Sequence, residues 1–236
     1  MNRLPILEKV AESIGDEELR RCVTDLLREP RLGFADMEPR VRLEEAPASP
    51  RTHHSFPGGL VLHTLAVAEL SRAVADVLSR VYGIEIDRDL VVAAALLHDI
   101  FKFYQYERSG GGFRVRRDSF IEHGYAVVAE LVQRGCPWRL VETVAGAHAR
   151  MPVTRRVEAL VVHLADLVDA VFAEKLQEVV TDELVQLGVE PGAVPRIISA
   201  VGLGRLFEAL CRGELGRILS RLKGQAIDPS SQPPKG

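Results

Sequence analysis

The chain has 236 residues, 47% hydrophobic and 27% charged, with a formal net charge of −3; it can close a sizeable core, and bulk positive charge is excluded as a source of affinity for nucleic acid or anionic membranes. Three cysteines, Cys22, Cys136 and Cys211, are odd in number, widely separated and in no Cys-x-x-Cys arrangement, which predicts reduced, buried thiols and argues against a thiolate zinc site. No apolar run reaches the ~18 residues needed to span a bilayer and no basic-then-apolar leader opens the chain, so a cytoplasmic protein without a membrane partner is expected.

Apolar positions at Leu4, Ile6, Leu7, Val10, Leu19, Val23, Leu26 and Leu27 predict two short helices joined at Gly15-Asp16. Residues 30 to 58 contain Pro30, Pro39, Pro47, Pro50 and Pro57, which forbid a long helix and leave an irregular strap. Residues 1–49 are therefore expected to pack as helices and strap on the core. From Gly59 to about Tyr82 apolar residues recur at helical spacing, placing His63 one turn into a helix. Residues 88 to 99 form the next helix, with Asp87 as its N-cap. Phe103-Tyr104-Gln105-Tyr106 and Phe113-Arg114-Val115, separated by Gly110-Gly111-Gly112, predict a β-hairpin. Helices follow at about 119–134, 137–149, 154–175, 181–187 and 193–222, those of 176–224 belonging to the same globule. The stretch 225–236, with Pro229, Ser230, Ser231, Pro233 and Pro234, is expected to be a disordered tail. The chain reads as all-α apart from the hairpin, with no internal repeat.

The most informative residues are His98 and Asp99, which end the apolar run Ala93-Ala94-Ala95-Leu96-Leu97. A neutral imidazole and a carboxylate emerging from an apolar helix are costly to bury, and a divalent cation satisfies both. His63, His123, His148 and Asp166 also lie in or beside apolar helical stretches. Any one of them alone would more often be structural, whereas the set supports a shared metal site. His163, three residues before Asp166, is read as a core residue, and Asp169 either orients a ligand or completes a charge pattern. Lys102 lies one turn beyond the doublet, near the place of a metal-bound phosphate, unless it is an exposed helix-end lysine. His53, His54 and Arg150 are candidate substrate-binding residues, and Arg114, Arg116 and Arg117 form a local basic cluster.

The order H, HD, H, H, D resembles the HD-domain superfamily of metal-dependent phosphohydrolases. The stretch His53-His54-Ser55-Phe56-Pro57-Gly58-Gly59-Leu60-Val61-Leu62-His63-Thr64 is similar to the corresponding part of the YhaM-type 3′-5′ exoribonucleases. The resemblance runs from about residue 50 to about residue 172, giving an expected HD domain over 50–175. It implies a helical bundle holding two metals through His63, His98, Asp99, His123, His148 and Asp166, with Asp99 bridging. One departure is visible: Phe101 stands where the family has a small residue, so a bulky ring is expected at the pocket wall. The mixed shell suits Mn²⁺, Fe²⁺, Co²⁺, Ni²⁺ or Zn²⁺ better than Mg²⁺. Asp99 and Lys102 are the catalytic candidates, with a phosphoester of a nucleotide or short oligonucleotide as substrate. The competing readings are an exoribonuclease acting on a nucleic-acid 3′ end, and a diiron oxygenase of the kind that shares this ligand shell. No obligate protein partner is evident, and the oligomeric state stays open.

Overall fold

The structure is a computed structural model that describes residues 4–118, 121–148 and 155–225, with no side-chain description for 223–225. Helices α1 (Leu4–Glu12) and α2 (Glu17–Arg28) are separated as expected at Gly15-Asp16. There the Asp16 carboxylate accepts the Leu19 N–H at 3.0 Å and starts α2. The strap contributes Leu32, Val41, Leu43, Ala46 and Ala48 to the main core, with one turn of 3₁₀ helix at Leu43–Glu45.

Helices α3 (Gly59–Tyr82), α4 (Arg88–Leu97), α5 (His123–Gln133), α6 (Trp138–Ala147) and α7 (Val157–Gln186) surround that core. Asp87 caps α4 by accepting the Leu90 N–H at 3.0 Å. Every residue of α4 from Leu90 to Leu97 is buried; a helix that is apolar all round must be central. It packs on α2, α3, α6 and α7. A second, smaller core gathers Phe56 of the strap with Val180 and Leu184 of α7 and residues of α8 (Val194–Val201), α9 (Leu203–Cys211) and α10 (Leu215–Gln225).

Several expectations change. The doublet helix stops at Leu97, and His98 and Asp99 lie in the turn beyond it. The two helices expected at 154–175 and 181–187 are one, because no Gly or Pro interrupts 157–186 and Leu176, Val180 and Leu184 continue the inward stripe onto the second core. The helix expected over 193–222 is three, broken at Gly202 and Gly213. The hairpin forms, but as β1 (Tyr106–Ser109) and β2 (Gly112–Val115), paired Tyr106↔Val115 to Ser109↔Gly112 around Gly110-Gly111. Phe103, Tyr104 and Gln105 belong instead to a 3₁₀ turn over Lys102–Gln105, which buries both rings. Gln225 ends α10, and the rest of the expected tail, 226–236, lies outside the described residues.

The cysteines depart furthest. Cys22 of α2 and Cys136, in the turn between α5 and α6, form a disulfide across 114 residues with Cα atoms 6.0 Å apart, and Cys211 is exposed. Sequence spacing carries no information about such a long-range approach, and the support that unpaired cysteines lent to a cytoplasmic location is withdrawn. Among the described residues no helix is long and apolar enough to cross a membrane.

Candidate metal centre

Five helices and the strap converge on one buried cluster. α3 supplies His63 from its second turn; the turn after α4 carries His98 and Asp99; His123 is the first residue of α5; His148 caps the C-terminus of α6; and α7 supplies Asp166 and Asp169. His63 Nε2 lies 3.2 Å from Asp99 Oδ2 and 3.1 Å from Asp166 Oδ1. His98 Nε2 lies 3.4 Å from Asp99 Oδ2 and 3.8 Å from Asp166 Oδ1. The other oxygen of Asp99, Oδ1, lies 3.1 Å from His123 Nε2. Among the described residues three groups of side chains could each hold a cation: His63, His98, Asp99 and Asp166; Asp99, His123 and His148; and His53, His54 and His63. The first two share Asp99.

The doublet converges because the chain tightens after Leu97. Ile100 N–H donates to Leu97 O and Lys102 N–H to Asp99 O at 2.9 Å, and in such i→i+3 geometry residues three apart eclipse. Lys102 Nζ consequently sits 2.5 Å from Asp99 Oδ2. Phe101, expected at the pocket wall, is turned into the main core, its ring centroid 5.9 Å from that of Tyr104.

The imidazole rings of the cluster are fixed by partners on one nitrogen each. His63 Nδ1 meets Asp169 Oδ2 at 2.7 Å, and His98 Nδ1 donates to Ala95 O at 2.7 Å. His148 Nε2 donates to His98 O at 2.6 Å, which leaves Nδ1 as the acceptor nitrogen of the neutral ring. His123 Nδ1 contacts the Glu122 carboxylate, which as the N-cap of α5 also accepts the Gly124 N–H at 2.8 Å. Gly124 packs closely on both: a Cβ there would lie 2.9 Å from Glu122 Oε2 and 3.1 Å from His148 Cγ, so a larger residue would shift them. Glu122 and Gly124 were not singled out from sequence; the signal available was an acidic residue at a helix start beside a ligand. His163 donates from Nδ1 to Ala147 O at 2.9 Å, as the core reading expects.

His53 and His54 reach the same site from the strap. His54 has φ +49, a conformation rare for any residue but glycine, and its carbonyl would be 2.1 Å from a Cβ on Gly59, so the start of α3 must be glycine for the strap to pass. Their Nδ1 atoms are 3.2 Å apart, and the His53 ring centroid is 4.8 Å from that of His63. His54 is buried, 3.7 Å from Asp169 Oδ2; His53 is partly exposed. The strap is pinned to α7 by Gln177, which accepts the Ser55 N–H at 2.8 Å and donates to Thr52 O at 3.0 Å. Arg114 and Arg116 are engaged within the protein: Arg114 pairs with Glu107, and Arg116 is buried on Asp118, Glu38 O and Tyr104 O. Arg150 lies outside the described residues.

The electrostatics call for a cation. Burial would lower the His63 pKa, yet Asp166, Asp169 and Asp99 hold its proton up to about 10. Burial likewise opposes ionisation of Asp99, but Lys102, His98, His123 and His63 carry its carboxyl well below the usual range. Burial keeps His53 and His54 neutral, with pKa values lowered to about 4 and about 3. Apart from Ser71 Oγ, the buried side-chain atoms without a hydrogen bond among the described residues are His63 Nε2, His98 Nε2 and Asp99 Oδ2. Asp99 Oδ2 is offset in charge by Lys102, but the two imidazole nitrogens that face it are orphaned, and orphaned ring nitrogens beside a buried carboxylate suit a divalent cation. The residues present therefore fit a metal.

A His-Asp doublet beyond the end of a central helix, ringed by further imidazoles and carboxylates inside a helical bundle, makes a centre that could hold divalent metal. The HD-domain family model matches residues 60–171. The chain is 42% identical over 170 residues to the dihydroneopterin 2′,3′-cyclic phosphate phosphodiesterase of Methanocaldococcus jannaschii, a match covering 70% of this chain and 68% of that protein. It is 38% identical over 56 residues to the 3′-5′ exoribonuclease YhaM of Bacillus subtilis, covering 24% of this chain and 16% of that protein. With YhaM of a Geobacillus species it is 29% identical over 105 residues, 43% of this chain and 28% of the other. No solved structure matches the chain. The chain belongs to the HD-domain superfamily of metal-dependent phosphohydrolases and is a phosphoester hydrolase.

Proposed function

We propose that this protein hydrolyses a phosphoester of a nucleotide-like small molecule, and within that class a cyclic phosphodiester, at two divalent transition-metal ions held by His63, His98, Asp99, His123, His148 and Asp166. The observation that carries the dinuclear reading is Asp99, whose Oδ2 faces His63 and His98 while Oδ1 faces His123. The substrate class is supported by the extent of the match to the Methanocaldococcus phosphodiesterase. Bound there, such ions would polarise a phosphoryl oxygen and lower the pKa of a water between them. Asp99 and the imidazoles fix the site's geometry. Lys102, already against Asp99, places a positive charge where the phosphate gains negative charge. His53 donates a hydrogen bond to the departing ester oxygen, and His54 holds His53 in place. The imidazole-rich shell fits Mn²⁺, Fe²⁺, Co²⁺, Ni²⁺ or Zn²⁺ better than Mg²⁺. The functional unit on this reading is 50–175, with 176–224 bracing the strap.

A processive nuclease is disfavoured by the pairing of Arg114 and Arg116 with neighbouring acids, since few phosphates could then be neutralised. The test is phosphorus NMR of the metal-loaded protein with a nucleoside 2′,3′-cyclic phosphate, in parallel with single-stranded RNA bearing a free 3′ hydroxyl. Ring opening to a monoester without dioxygen consumption is expected. Shortening of the RNA with the cyclic ester untouched would replace this reading by the exoribonuclease, and a dioxygen-dependent product by the oxygenase.

A further inference from the structure

α7 is apolar on the side that faces away from the core as well as on the side that builds it. From 160 to 172 its exposed positions are Leu160, Leu164, Leu167, Val168, Val171 and Phe172, with Phe172 64% exposed. A surface helix ordinarily turns charged or polar residues outward, and an all-round apolar helix has something on every face. Leu160, Leu164, Leu167 and Val171 follow the alternating four- and three-residue spacing of a helix–helix seam, and Val168 and Phe172 widen it. The seam is bounded at its far end by Glu174, Lys175 and Glu178, and at its near end by Arg155 and Arg156.

We propose that this face is the interface of a homodimer in which α7 packs antiparallel on α7 of a second copy. The longer segments outside the described residues are poor occupants by composition: 149–154 offers only Met151 and Val153 as large apolar residues, and 226–236 only Ile227. With roughly half of each of six large side chains exposed, the patch amounts to about 500 Å² per chain, and two copies face to face bury about 1,000 Å², where specific interfaces begin. A two-fold axis near residue 166 sets Leu160 of one copy beside Phe172 of the other and Leu164 beside Val168. It also brings Arg155 alongside the partner's Glu174 and Glu178, whereas a parallel arrangement would set like charges together. The contact lies on the helix that carries Asp166 and Asp169, so the dimer clamps the element that supplies the carboxylates.

Sedimentation or light scattering of the purified chain across a concentration series is expected to give twice the 26.0 kDa of one chain. The double variant Leu164→Glu/Phe172→Glu is expected to run as a monomer, with a dissociation constant raised at least ~10²-fold. Both residues are exposed, and an unchanged far-ultraviolet circular dichroism spectrum verifies that the fold is kept. A wild-type chain that stays at 26.0 kDa at all concentrations would overturn the proposal without recourse to a variant. A dimer that survives the double substitution, or a monomer that partitions onto neutral lipid vesicles through the same residues, would do so too.

Discussion

His63 and His98 sit in the wall of the core, each with one ring nitrogen fixed at 2.7 Å by Asp169 and by the Ala95 carbonyl respectively, and the other left without a hydrogen bond. His123 and His148 stand instead at helix ends nearer to solvent, held by the Glu122 cap and by the His98 carbonyl. The inner half is organised by interior packing, so its geometry exists before a cation arrives. The outer half depends on where α5 begins and α6 stops, positions that are set only when the helices are docked. Asp99 joins the halves. A site built this way should hold its inner cation more rigidly and fill its outer position more dependently on local order.

The comparison breaks completely with Asp99→Ala. On the two-cation proposal each half would lose a ligand, so metal analysis of the purified variant should find both positions depleted and phosphoester hydrolysis at background. Retention of metal at wild-type stoichiometry would show that Asp99 does not bridge. Lys102→Ala leaves every ligand in place; turnover should fall on the order of 10²-fold with metal content intact, as for loss of one charged stabiliser of a developing phosphoryl charge. Turnover and metal content measured on the same sample separate the two effects.

Two conservative changes sharpen the difference between the halves. Asp169→Asn should weaken the inner position about 10- to 100-fold in metal affinity while sparing the outer one, and Glu122→Gln should do the reverse. Competition titrations with a chromogenic chelator would resolve the two. Equal losses at both positions in either variant would mean that the site loads as a single unit. The smallest effect on catalysis is expected from Cys136→Ser. It releases the turn between α5 and α6 from α2 and should cost roughly 2–4 kcal/mol of stability, the usual range for a disulfide closing a long loop. Denaturant unfolding measures the loss, and amide exchange should rise in α5 and α6 before it rises in α4.

Much of the inner site was legible in the sequence because its signals are local. An imidazole and a carboxylate at the end of an apolar helix announce their own cost, and the N-caps Asp16 and Asp87 act within three residues of themselves. The helical periodicities of α3 and α4 likewise need no partner to be read. The length of α7 was readable in principle, since nothing between 157 and 186 breaks a helix. Tertiary contact alone decided the rest. It tightened the chain after Leu97, which swings Lys102 onto Asp99; it brought Cys22 to Cys136 across 114 residues; it buried Phe101 away from the site; and it paired Arg114 and Arg116 with nearby acids. It also set Glu122 behind His123 and Asp169 behind His63. Periodicity records which face of an element is buried, but not which neighbour buries it, and the chemistry of a shared site depends on the neighbour.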